Sequence, residues 1–274
     1  QYVFRTVETN VGKNDLRLLE PLDRYARWFE SIGRYTTARG LHARALQLAE
    51  RQSADKPIVG VPALRGLSRT WLLEGIYGPE VEPETPVREA SEASGPFLSA
   101  AGAGRLNADG ERALRFALEI VTNSKPRDDR LYADTLVQFG DWYLISGSTQ
   151  RAQANYLEAA KVLSAAGAGA ERLLENPRLL VYRAPAASIT RFKPDDPTQH
   201  ALHDIEFALD VGPDGKVLDA KVISSTAPEA TTRAALLAAR KARYGPRVSG
   251  TEVVATNGVT LREKVWVKAA PAKN

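Results

Sequence analysis

The run from Ile205 to Val211 constrains this chain more than any other stretch. Ile205, Phe207, Leu209 and Val211 alternate with Glu206, Ala208 and Asp210, the period-two pattern that puts the apolar side chains on one face of a β-strand. Gly212-Pro213-Asp214-Gly215 follows. Proline presets φ and glycine accepts positive φ, so these four residues turn the chain back on itself. Lys216–Ser225 then reads as a second strand. The Ala-rich stretch from Pro228 to Ala242 reads as a helix, stopped at Tyr244-Gly245-Pro246, and Val259–Val267 as a last strand. The expectation is a small ββαβ domain of α+β class over residues 199–270.

The first part of the chain has a different rhythm. Leu22–Arg51 carries Tyr25-Ala26, Phe29, Gly33-x-Tyr35, Ala38, His42, Ala45 and Leu46. Leu136–Leu163 carries Leu136, Phe139-Gly140, Tyr143, Gly147, Ala152, Tyr156 and Ala159. Small residues let two helices approach, large ones fill the gaps beside them, and a glycine allows the turn between. Both stretches resemble the tetratricopeptide repeat. Thr149 and His42 stand where that family has aromatics, and Leu22 where it has Trp. An interrupted third copy places its helices at Ala63–Gly75 and Asp109–Val121. Between them a Pro-, Glu-, Gly- and Ser-rich insertion spans 77–107, with short helical turns expected at Pro86–Ala93 and Pro96–Ala101.

Ala-Ala-Gly-Ala-Gly occurs twice, at Ala100–Gly104 and Ala165–Gly169. A phosphate-binding glycine loop follows a strand. Here the preceding segments are helical, so a helix stop is expected at each. Glu171–Tyr182 is expected to form a last helix that caps the stack. Residues 184–198, with Pro185, Pro194 and Pro197, read as a linker. The expected division is a helical-repeat solenoid over 1–183, the linker, and the ββαβ domain.

The C-terminal domain resembles the C-terminal domain of the TonB family. Asp214-Gly215-Lys216-Val217 matches the hairpin of that family, and Val222-Ile223-Ser224-Ser225 its V-x-x-S-S. Ala234–Arg240 lies on its helix, and Ala242-Arg243-Tyr244-Gly245-Pro246 stands where it has W-R-F-x-P. Ala242 for Trp and Tyr244 for Phe thin the aromatic core there. The resemblance implies a periplasmic location and the binding of an extended peptide. The chain begins at Gln1 and holds no Met, so a signal peptide or anchor is expected to have preceded Gln1.

Catalytic chemistry is hard to place. There is no Cys, which excludes thiolate metal sites and a Cys nucleophile. Of the three His residues, His42 sits at a repeat-core position. His200 and His203 lack the further ligands a metal needs. Asp128-Asp129 reads as a solvated helix start. No Walker loop, G-x-S-x-G or H-E-x-x-H occurs. The net charge of +4, from 37 basic and 33 acidic residues, is too mild and unfocused for a nucleic-acid surface. No enzyme activity, cofactor, metal or nucleic-acid partner is expected, and no run is long enough to span a bilayer.

Two surfaces remain as candidates. If the helical resemblance holds, the first helix of each pair lines a groove presenting Asp23, Arg27 and Glu30, then Arg65, Arg69 and Leu72, then Val137 and Asp141. Arg27, Arg65 and Arg69 suit a carboxylate, because guanidinium forks bind carboxylates bidentately. The competing reading is ordinary solvated charge. The second surface is the edge of the C-terminal sheet at Val259, Thr260, Leu261, Arg262 and Glu263. The TonB resemblance implies that a peptide adds there as a strand. Charges at such a place also guard an edge against unwanted pairing. The expected function is a periplasmic adapter or scaffold with protein or peptide partners, an outer-membrane or envelope protein among them. The alternatives are a TonB-like energy transducer docking on outer-membrane receptors, or an enzyme of unrecognised class.

Overall fold

The helical and β-rich parts of the sequence form separate units, Gln1–Ala166 and Gly167–Asn274. The structure is a computed structural model and describes residues 2–78, 108–167 and 173–269. The expected insertion over 77–107, apart from its first two residues, lies outside the described residues, as do its short helices and the first Ala-Ala-Gly-Ala-Gly copy.

The described part of the first unit holds seven α-helices: α1 (Tyr2–Val11), α2 (Leu19–Ser31), α3 (Tyr35–Gln52), α4 (Val61–Tyr77), α5 (Ala108–Asn123), α6 (Asp129–Ile145) and α7 (Thr149–Ala166). From α2 onward each packs on the next. The turns α2–α3 and α6–α7 pass through Gly33 and Gly147, both at positive φ, as the spacing predicts. Leu22, Ala26, Ala38 and Ala45 are buried between α2 and its neighbours, and Leu136, Ala152, Tyr156 and Ala159 between α6 and α7. The third pair forms too, with Val61 and Leu64 of α4 against Ala117 and Val121 of α5. Asp128 caps α6, its carboxylate accepting from the Leu131 N–H at 2.9 Å.

Gly140 marks a close approach of α6 to α7. A Cβ there would stand 2.4 Å from Cε1 of Tyr156, whose ring is fully buried.

The second unit is built on β2 (His200–Val211). It pairs antiparallel with β3 (Val217–Ser225) on one side and β7 (Thr256–Lys268) on the other, in the order β3-β2-β7. The β2–β3 turn is the predicted one: Gly212 N–H donates to Lys216 O at 2.8 Å, and Gly215 takes φ +72°. Helix α8 (Glu229–Arg240) packs on β3 and β2. Ile205, Phe207, Leu209 and Val211 point into a core completed by Ala220, Ala235, Ala239, Tyr244, Leu261 and Val265. Each large side chain there contributes roughly 1.5–3 kcal/mol by leaving water. Short strands β4 (Arg243–Gly245), β5 (Arg247–Ser249) and β6 (Glu252–Val254) link α8 to β7, with β5 and β6 forming a hairpin.

Two expectations fail at the junction. Instead of a capping helix over 171–182, Arg178–Val181 forms strand β1, paired antiparallel with β4. Pro177 explains it. Proline drives Asn176 out of the helical region and cannot donate to a preceding turn. Residues 184–198 are not a free linker throughout either. Ser188 is fully buried and bridges Val265 of β7. The second unit therefore begins before residue 183.

Two outcomes are expected. Gly140→Ala should lower unfolding stability by about 1–3 kcal/mol through overpacking against Tyr156, measured by chemical denaturation. A fragment of residues 173–269 should unfold cooperatively, whereas 198–269, without β1 and Ser188, should lose most of that cooperativity when followed by circular dichroism.

Candidate peptide-binding surfaces

The helical candidate turns its charges on itself. Arg69 of α4 grips Glu30 of α2 with two bonds, Nε to Oε2 at 2.8 Å and Nη2 to Oε1 at 3.1 Å. His42 of α3 brings Nε2 within 3.1 Å of the same carboxylate. The His42 ring is fully buried, in the space a Cβ on Gly66 would need. Arg65 donates Nε to Gln138 Oε1 at 3.0 Å and Nη2 to the Asp134 carbonyl at 3.3 Å, and Gln138 Nε2 donates back to the Arg65 carbonyl. Arg27 bonds Asp23 one helical turn away at 2.7 Å. Asp141 accepts from the Tyr156 hydroxyl at 2.8 Å.

The expected peptide-binding residues Arg65, Arg69 and Asp141 are thus occupied by partners within the chain. The physical reason is burial: a charge removed from water needs donors or acceptors at once. Burial alone would raise the Glu30 pKa, but hydrogen bonds from His42 and Arg69 outweigh it, and the carboxyl sits below its ordinary value. Burial pulls the Arg65 guanidinium down from its ordinary value, partly offset by the Asp134 carboxylate. Arg27 keeps 61% of its side chain exposed and alone fits the solvated reading. The sequence reading named Glu30 but missed that it joins three helices. His42 at a repeat-core position was the available signal.

The sheet candidate splits into two parts. Val259, Leu261 and Glu263 turn towards the core side of β7, with Leu261 and Glu263 buried, while Thr260 and Arg262 are exposed on the other face. Glu263, expected to meet a peptide, is only 5% exposed. It accepts from the Tyr182 hydroxyl at 2.6 Å, the Ser188 hydroxyl at 2.6 Å and the Lys264 N–H at 3.1 Å. Burial and this carboxylate hold the Tyr182 phenol well above its ordinary pKa. On the exposed face Arg262 pairs with Glu206 at 3.1 Å and Lys264 with Asp204 at 2.7 Å, each across the ladder to β2. Those charges lie along the face of the sheet and leave the edge uncrossed.

The edge itself is read from the main chain. Lys264 O accepts from Ile189 N–H at 2.9 Å and Trp266 N–H donates to Ala187 O at 2.7 Å, so both residues aim their peptide groups away from β2. Residues of a strand alternate in this respect, and the β2–β7 register is unbroken from Lys268 to Val259. Thr260 and Arg262 therefore also aim outward. Among the described residues, nothing hydrogen-bonds their outward groups.

No helix among the described residues is long and apolar enough to cross a membrane, and no group of His, Asp and Glu among them could hold a metal ion. Replacing Glu30 by Gln should cost about 2 kcal/mol, since it weakens charge-assisted bonds to Arg69 and His42. The stability that Glu30 contributes is complete above about pH 4.5, its ordinary value, and is lost as pH falls through its lower folded-state value. The Gln variant should therefore lose less stability on acidification, as read from denaturation at a series of pH values. Compared with known proteins, the chain matches no protein-family model and no curated protein.

Proposed function

We propose that this protein is a protein–protein interaction adapter of the bacterial periplasm that takes an extended peptide by strand addition to the outer edge of β7. The observation that carries the reading is the pair of outward-facing peptide groups at Thr260 and Arg262, exposed beside a segment of the same strand that already accepts an added chain. Main-chain bonds would supply the affinity, and the side chains flanking the edge the selectivity. The helical unit fits a tetratricopeptide-like stack and serves in this reading as the scaffold. Its buried charges favour a structural role over a carboxylate-binding groove, which leaves its exposed residues, Arg27 among them, for secondary contacts. The strand–strand–helix–strand order and the Asp214-Gly215 hairpin support a TonB-C-terminal-like assignment for the second unit.

Peptides selected from a random library on the full chain test the reading. Thr260→Pro removes an outward N–H and leaves the ladder to β2 intact, a position where an edge strand accepts proline. It should weaken the selected peptides at least tenfold while the melting temperature stays near that of the unaltered chain. Undiminished affinity in the folded variant would place the site elsewhere.

A further inference from the structure

The residues that follow β1 lie along the same edge. Ala187 and Ile189 bond the outward groups of Trp266 and Lys264, and Ser188 stands antiparallel to Val265. The segment then leaves: Arg191 N–H and Phe192 N–H both turn back to Ser188 O, at 2.9 and 2.8 Å. It reaches neither Arg262 nor Thr260. Lys264 N–H is satisfied by Glu263 Oε1 and not by the segment. The resident strand thus makes two main-chain bonds to an edge that offers more.

Its anchor is a side chain. Ser188 Oγ donates to Glu263 Oε1, and the Tyr182 hydroxyl to Glu263 Oε2, both at 2.6 Å. Ser188 Oγ also lies 2.8 Å from Thr190 Oγ1. A carboxylate buried on the core side of β7 is a costly thing to leave without donors. A chain that displaces the segment without a hydroxyl leaves Oε1 with the Lys264 N–H alone, so one that supplies a hydroxyl or equivalent donor there is favoured. That is a chemical preference in the ligand, set by the position of Glu263 beside the strand.

We propose that residues 187–189 are a built-in occupant of the β7 edge, and that the partner is an extended antiparallel segment carrying Ser or Thr opposite Val265, which displaces them and continues past Arg262 towards Thr260. The inference rests on the strand-addition reading above and adds the class of ligand and the competitor. The balance is legible in kind. The tethered segment has the advantage of a high effective concentration, of millimolar order for a short tether. The incoming segment gains the main-chain bonds at Arg262 and Thr260 that the resident one forgoes. A partner binds when those extra bonds outweigh the tether.

The test uses the full chain and a labelled synthetic peptide with the sequence of residues 184–192. Ile189→Pro removes the N–H that bonds Lys264 O and should loosen the resident segment. Two readouts follow. The Trp266 amide should exchange with solvent at least tenfold faster, and the peptide should bind at least tenfold more tightly than to the unaltered chain. The same peptide with Ser188→Ala should lose that gain. Ser188→Ala in the chain is the milder second variant, expected to move both readouts the same way by about threefold as one anchoring bond is lost. Faster Trp266 exchange without tighter peptide binding overturns the proposal, and so does unchanged exchange in both variants. If library-selected peptides still depend on Thr260 in that case, the strand-addition reading survives while the resident-competitor idea falls. If they do not, both fall.

Discussion

A carboxylate buried on a β-strand has to be given hydrogen-bond donors, and Glu263 obtains them from far away in sequence. Ser188 and Tyr182 lie 75 and 81 positions upstream, and both hydroxyls converge on the one side chain. That need is met where Tyr182 and Ser188 turn their hydroxyls to the core side of β7 while Ala187 and Ile189 bond its edge. The arrangement places Tyr182 and Ala187 against the apolar cluster of the second unit and sets where that unit begins. It also decides how much of the β7 edge the chain covers with its own backbone.

The first unit obeys the same rule in helical form. Glu30, Arg69 and His42 come from three helices and meet at one carboxylate, with His42 Nδ1 buried and without a hydrogen bond among the described residues, while Arg65 and Gln138 exchange bonds between α4 and α6. Such networks favour one arrangement of the helices, because each paired charge would be costly to strand in the interior. They also withdraw charge from the surface. Arg27 and Arg69 pair with Asp23 and Glu30, Arg65 is held by the Gln138 amide and a backbone carbonyl, and the capacity of that face to hold an acidic peptide falls accordingly.

Local patterns were readable before the structure. The period-two run of β2, the Gly212–Gly215 turn and the small-residue spacing around Gly140 each act over a few residues, so spacing alone locates them. The failures were of other kinds. Pro177 lies inside the stretch expected to form a capping helix, where Arg178–Val181 is a strand. The pairing of β1 with β4, and of Ser188 with Glu263, depends on long-range contacts that no periodicity records. Glu263 was the most misleading residue. It alternates correctly with Arg262 and Lys264, yet its parity puts it on the buried face, where its role is to accept bonds from its own chain. Within the candidate edge, sequence located the strand, and only the ladder parity separated main-chain groups that are taken from those that are open.

The proposed use of the edge rests on two features of the structure. Guarding works when a charge or a covering segment blocks the outward main chain. The charges of β7 do not do this, since Arg262 and Lys264 lean across the ladder to Glu206 and Asp204. The covering segment does it only at Lys264 and Trp266 and turns off after Ile189. An edge protected purely against aggregation would gain from cover along its whole length. Cover that stops partway, held by hydroxyl bonds that another chain can reproduce, is what supports the proposed exchange over simple exclusion.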